Sequence, residues 1–258
     1  MIDHHFLNKA RMLYRYHKCL KSRALADCFG ITKDPTSCYM LVMRYYKNGS
    51  LYSYLKDTMG ILCWRDIVDM LWSISAGLNY IHEHGLVHGH LHGGNILVES
   101  DVNLIETMIT DTGLHGPVDK RLSPEQIYGV IPFVAPEIFN GNTPTKESDI
   151  YSFGMVMWML SAGLRPGVVS DTPPVFSSLM LQCLDANPSN RPTASQLDEY
   201  LGNWVIAICD NSDPSSSVSN QFDAAEEIKF SNLENFNFNA FSNDEKAIYF
   251  SRPLWLID

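Results

Sequence analysis

The sequence predicts an α+β fold in which a helix and a short antiparallel strand pair precede a larger, mostly α-helical part. Three observations carry this expectation. Two short apolar runs flanking a turn lie early in the chain, long segments of helical periodicity follow them, and a capping box opens a helix near residue 193.

Taken in order, residues 6–20 read as a helix, because Phe6, Ala10, Leu13 and Tyr14 fall at i, i+4, i+7 and i+8 with basic residues on the other face. "ALADCFGIT" and "CYMLVMRYY" flank "KDPTS", whose Asp-Pro favours a turn, so a two-stranded hairpin is expected. From Trp64 to His84 the apolar positions Ile67, Leu71, Ile74, Leu78 and Ile81 step by four and three, and Gly85 suits a left-handed cap. "SDIYSFGMVMWMLSAG" is apolar almost all round, as a helix buried inside a domain would be, with Ser148 as its N-cap and Gly163 as its end. Thr193 and Gln196 form a capping box before a last surface helix that reaches Gly202. Beyond Asn203 the Ser-rich "NSDPSSSVSN" cannot offset its ordering entropy by burial and reads as a flexible linker. The aromatic tail after it is expected to pack back on the domain, with a partner-binding peptide as the alternative.

Composition narrows the class of function. The chain has 258 residues, 45% hydrophobic, enough for a sizeable core. A net charge of -10 offers no basic field for phosphates, so neither nucleic acid nor an anionic membrane face is expected as a partner. Six cysteines occur with no CxxC pair, and the start "MIDHHFLNKAR" lacks a signal peptide's apolar core, so a reducing cytoplasmic or nuclear compartment is expected. The longest apolar run, "GMVMWML", falls short of the ~20 residues that cross a bilayer.

Six stretches in order, "LVMRYYKNGSLYSYL", "GLNYIHEHGLVHGHLHGGNILV", "ITDTGL", "GVIPFVAPEIF", "SDIYSFGMVMW" and "NPSNRPTASQL", resemble the motifs of a protein kinase domain, closest in style to the tyrosine-kinase-like group. The resemblance spans roughly residues 6–202. It implies a kinase-like fold with an intact, mostly helical C-lobe and a truncated N-lobe: a remnant small lobe over 1–46, a large lobe over 47–204, and a linker and tail over 205–258. It also implies that residues 39–46 are the last small-lobe strand and the hinge. Met43 then stands at the gatekeeper position, the backbones of Arg44 and Tyr46 lie where an adenine would bond, and Leu97 lies beneath it. Asn95 and Asp111, the latter opening "DTG" in place of Asp-Phe-Gly, take the two magnesium positions. Glu137 and Arg191 match the family's buried ion pair, and Asp149 the carboxylate that receives catalytic-loop N–H groups.

Departures from the pattern decide the expected activity. Phosphoryl transfer needs a glycine-rich loop, a strand lysine paired with a helix glutamate, metal ligands, and an aspartate that accepts the substrate hydroxyl's proton. Residues before Phe6 are too few for the loop and the lysine strand, and Lys9 stands near the glutamate's place. His-Arg-Asp has become His88-Gly89-His90, so an imidazole occupies the position of the carboxylate base. Loss of a general base typically costs 10²–10⁴-fold, and a protonated His90 would repel the metal ions. Thr112 replaces the spine phenylalanine, Val130 and His92 leave Ser/Thr against Tyr preference unreadable, and the passage from Gly163 to the next helix, Val175 to Leu184, is too short for the usual substrate-docking helix.

The expectation is therefore a pseudokinase acting as a signalling or interaction scaffold, to which ATP and magnesium, if they bind at all, bind weakly. An active Ser/Thr or Tyr kinase with His90 as an improvised base is the first alternative. A nucleotide-independent binding module is the second, recruiting a protein partner or a second copy through the sheet edge of residues 25–46. The alternation of His88, His90 and His92 also raises a zinc site, against which stand the helix-end places of His82 and His84 and the structural role that the resemblance gives His88.

Overall fold

The computed structural model describes residues 22–33, 35, 39–58, 62–101, 104–111, 126–162, 172–209, 216–233 and 252–255. The helix expected over 6–20, with Lys9, lies outside the described residues, as do Thr112 and the stretch 163–171.

The fold is α+β, with helices making up most of the large lobe. β1 (Cys28–Lys33) and β2 (Tyr39–Met43) form the expected antiparallel hairpin, with a bulge between Cys28 and Gly30. The segment before β1 joins this hairpin to the rest of the chain, because Ala26 N donates to Ile109 O and Ile109 N to Ala24 O, both at 2.9 Å. Arg44 and Tyr46 lead from β2 into a short helix, α1 (Leu51–Asp57), whose first turn is capped by Ser50.

The long helix α2 (Trp64–Glu83) is the spine of the core. Ile67, Leu71, Ile74, Leu78 and Ile81 are all at most 1% exposed, as their spacing predicts. The helix ends where Gly85 takes φ 69, a left-handed value that glycine adopts without strain. Gly77 serves a different need: a Cβ there would stand 2.9 Å from Ala24 O, so its absence lets the segment before β1 lie directly against α2.

After the loop that follows α2, β3 (Ile96–Asp101) and β4 (Leu104–Ile109) make a second antiparallel hairpin in register Ile96 to Ile109. β5 (Gln126–Gly129), α3 (Pro136–Phe139) and α4 (Lys146–Ala162) follow. α4 is buried over most of its circumference, with Ile150, Phe153, Val156, Met157 and Leu160 at most 2% exposed and a half-buried stripe at Tyr151, Met155 and Trp158. Its start differs from expectation. Thr145 caps it and Ser148 lies inside the first turn, Ser148 N donating to Thr145 Oγ1 (3.2 Å) while Thr145 N donates to Ser148 Oγ (2.9 Å). A reciprocal box displaces a single cap because it satisfies two donors.

α5 (Pro174–Cys183) and α6 (Ala194–Cys209) complete the large lobe. The Thr193 and Gln196 box forms as expected. Gly202, however, does not stop α6. A Cβ there would sit 3.1 Å from Trp72 Nε1, so this glycine makes room for the indole, and the helix runs on to Cys209.

The stretch "NSDPSSSVSN" expected as a linker is helical in its last residues, since α7 (Ser217–Leu233) begins inside it. Phe222 and Ala225 of α7 are 2% and 4% exposed against Trp64 and Trp204, and this tertiary burial offsets the poor helix propensity of the serines. Gln221 Oε1 accepts from Val175 N and Glu226 Oε2 from Trp64 N, so α7 caps the starts of both α5 and α2. Lys229 adds a bond to Leu62 O and lies over the Trp64 ring. A last strand, β6 (Arg252–Trp255), pairs antiparallel with β5. Of the aromatic tail, Arg252–Trp255 thus lies against the domain through β5, whereas the packed residues of α7 precede that tail. Among the described residues no helix is long and apolar enough to cross a membrane.

Candidate functional site

The loop between α2 and β3 is organised around one buried carboxylate. Asp149, 1% exposed in the first turns of α4, accepts from His88 N (2.8 Å) and His82 Nε2 (2.9 Å) through Oδ2, and from Gly89 N (2.7 Å) through Oδ1. Hydrogen bonds to an ionised acceptor are the stronger kind, and three of them fix the loop's path. Gly89 takes φ 80, a left-handed value that a side-chain-bearing residue would hold only with strain. The glycine in place of arginine therefore suits this turn.

His88 is a structural residue. It is 3% exposed, its Nδ1 accepts from His90 N (3.2 Å), and its Nε2 lies 2.9 Å from Thr110 O. Those partners put the proton on Nε2, so the ring joins the loop to the end of β4 as a neutral imidazole. His92 caps the next turn, Gly93–Asn95, by accepting from Gly94 N (3.0 Å), and it stacks on Tyr52 with ring centroids 6.0 Å apart. Gly93 lies under the same tyrosine, whose Cε1 would be 2.7 Å from any Cβ. The histidines at 82, 88 and 92 thus serve backbone and carboxylate partners of the loop.

Asn95 and Asp111, the two residues expected at magnesium positions, are brought to one end of the β3–β4 hairpin. Asn95 precedes β3, Asp111 follows Thr110 after β4, and Thr110 N donates to Asn95 O at 3.0 Å. Asn95 is 7% exposed, and its Nδ2 donates to His90 O (2.9 Å), which orients the amide and leaves Oδ1 with the lone pairs a cation uses. Asp111 takes φ 60, a left-handed conformation in which aspartate is several-fold enriched among non-glycine residues. This donor set of one amide oxygen and one carboxylate suits a hard divalent cation. His90, the residue expected at the base position, is half-buried, and its backbone N and O are both spent within the loop, on His88 and Asn95.

Met43 and Leu97, the residues expected beside an adenine, are partly buried against Ala26, Tyr46 and Met108, a small apolar cluster separate from the main core. Tyr46 is 5% exposed and its hydroxyl accepts from Asp27 N (3.0 Å), and burial raises its pKa. Arg44 N donates to Asp27 O (3.0 Å), and its guanidinium pairs with Glu99 at 2.8 Å and lies 5.5 Å over the Tyr46 ring. The hinge is therefore latched to β3 through Arg44. Sequence reasoning missed this latch, because Glu99 lies 55 residues away and no local pattern links the two.

The ion pair of the large lobe is present. Arg191 Nη1 and Nη2 donate to Glu137 Oε1 (2.6 Å) and Oε2 (2.9 Å), while Nε and Nη1 reach Asp185 O and Glu147 O. Burial alone would raise the Glu137 carboxyl, but the Arg191 bonds outweigh it and hold the pKa below the ordinary carboxylate value.

Hairpin, latched hinge, carboxylate-centred loop and Glu–Arg pair together make the large lobe and hinge of a protein kinase. Residues 3–168 match the family model for protein tyrosine and serine/threonine kinases, and the chain belongs to that family. It is 30% identical over 212 residues, 74% of its length, to a protein of Dictyostelium discoideum described as a probable serine/threonine-protein kinase, of which the match covers 15%. It is 25% identical over 228 residues, 81% of its length, to the RGS domain-containing serine/threonine-protein kinase A of the same organism, covering 20% of that protein. Human mitogen-activated protein kinase kinase kinase 13 is 30% identical over 184 residues, 64% of this chain and 19% of that one. The chain thus spans a fifth or less of the length of these relatives.

Proposed function

We propose that this chain is a pseudokinase of the tyrosine-kinase-like group, a kinase domain with little or no phosphoryl transfer that serves inside the cell as an interaction scaffold. The observation that carries the reading is position 90. The loop around it is held in order by Asp149, His88 and Asn95, yet it presents an imidazole where a carboxylate would orient and deprotonate a substrate hydroxyl. Gly89 supports the same reading, since no arginine is present there to hold a phosphorylated activation segment.

Nucleotide binding is a separate matter. Asn95 and Asp111 would hold magnesium, Met43 and Leu97 would flank the adenine, and the backbones of Arg44 and Tyr46 would face it. The Arg44 N–H is already committed to Asp27 O, leaving its carbonyl for the base. Weak binding is expected, and a thermal-shift titration with ATP, with and without magnesium, measures it by mass action. The functional test is phosphate incorporation from ATP by the purified chain beside an Asp111→Ala variant. Equal background in both supports the reading, and incorporation lost in the variant overturns it.

The small lobe gives such a scaffold its surface. Phe29, Met40, Val42 and Tyr45 are 70%, 45%, 42% and 84% exposed, and among the described residues β2 pairs only with β1. An apolar face beside an open strand edge suits a protein partner or a second copy of this chain. Light scattering across concentration tests the homodimer. A mass that rises to twice the monomer and falls back in a Val42→Lys variant supports it, and a monomer at every concentration removes it.

A further inference from the structure

β5 and β6 pair in the register Gln126 to Trp255, Ile127 to Leu254, Tyr128 to Pro253 and Gly129 to Arg252. β5 is the closing stretch of the activation segment, between Asp111 and the Ala135-Pro136-Glu137 motif. β6 lies beyond the residues that match the kinase family. A strand from outside the domain is therefore added to an edge of the domain, the pairing by which extended peptides bind other proteins: backbone bonds supply affinity, with little demand on sequence.

Pro253 determines how this strand sits. Lacking an N–H, proline is tolerated in a pair only where its nitrogen points off the ladder. Tyr128 and Pro253 are then the pair without mutual bonds, and the alternation of an antiparallel ladder puts the bonds on Ile127 with Leu254 and on Gly129 with Arg252. The same proline leaves the outer edge of β6 short of a donor, which discourages a further strand from joining. β6 is also tethered. α7 is fixed to the large lobe by Gln221, Phe222 and Glu226, and residues 234–251 connect it to Arg252.

We infer that β5 is a docking edge for an extended peptide and that β6 is its tethered occupant, so a peptide partner of this edge must displace Arg252–Trp255. The inference concerns backbone pairing alone, so it stands or falls separately from the pseudokinase reading. The test uses the full chain and a Leu254→Pro variant, which removes a ladder N–H. The probe is a fluorescein-labelled synthetic peptide of residues 250–258. A short tether holds its end at about millimolar effective concentration. For a peptide that binds at ~0.1 mM, anisotropy titrations are therefore expected to show about 10-fold tighter binding to the variant. Equal affinity for both chains, or binding to neither, overturns the inference. Hydrogen exchange on the unmodified chain gives a second readout that does not depend on the variant. Protected amides at Ile127, Gly129 and Leu254, with Leu254 alone exchanging faster once excess peptide competes and all three exchanging faster when the tail is unpaired, support the assignment, whereas fast exchange at Ile127 and Gly129 in the free chain refutes it.

Discussion

Replacing Arg191 by methionine keeps the aliphatic volume and removes the charge. In the wild-type chain the guanidinium is completely buried and makes two bonds to Glu137, whose side chain is 12% exposed, together with bonds to the carbonyls of Asp185 and Glu147. Its loss strands a nearly buried carboxylate, a defect that costs about 3–5 kcal/mol. For a chain of this size each kcal/mol moves Tm by about 2–4 °C, so a fall of roughly 6–20 °C is expected by calorimetry at pH 7. The pH dependence has a definite sign. Arg191 holds the Glu137 carboxyl below its ordinary value, so the pair's contribution is complete above that value and fades as pH falls through the lowered one. The gap between wild type and Arg191→Met should therefore narrow in acid. Adding Glu137→Leu should recover part of the loss, since the stranded charge goes with it. A loss below 1 kcal/mol, or a gap that does not change with pH, would refute the account of this pair.

Asp149→Asn should lower stability by about 2–3 kcal/mol and speed hydrogen exchange at His88 and Gly89, because one accepting oxygen becomes a donor facing their N–H groups; unchanged exchange would contradict the anchoring role. Phe222→Ala should cost about 3–5 kcal/mol in urea unfolding if α7 belongs to the core, and no loss would show that the tail helix does not. Gly89→Ala should cost about 1 kcal/mol through backbone strain at φ 80 alone, read by the same unfolding curves. The Cys183 thiol is pushed up to about 12 by burial, so alkylation of the native chain at pH 8 should modify exposed Cys209 and spare Cys183, as mass spectrometry of peptides would report.

How much was legible in the sequence follows from where each feature's information lies. The five apolar positions of α2 repeat within one helix, so periodicity alone places them in the core. The Thr193 and Gln196 box and the left-handed Gly85 are equally local. Motif order, rather than any single residue, indicated the Glu137–Arg191 pair and the role of Asp149. Ser148 was misplaced by one capping register because Thr145 offers an equivalent hydroxyl three residues earlier. Gly202 and the start of α7 were misread for a common reason. Glycine and serine are weak helix formers on their own, and what holds them here is contact with Trp72 in one case and with Trp64 and Trp204 in the other, each distant in sequence. The Arg44–Glu99 latch and the pairing of β5 with β6 are likewise long-range, with no periodicity to announce them.

The central claim is that an ordered loop with an imidazole at position 90 does not deprotonate a substrate hydroxyl, and transfer of labelled phosphate from magnesium ATP measured from pH 6 to pH 9 tests it most directly. At every pH the chain should incorporate no more label than its Asp111→Ala variant. Incorporation that rises through the titration of an imidazole and disappears in a His90→Ala variant would contradict the account.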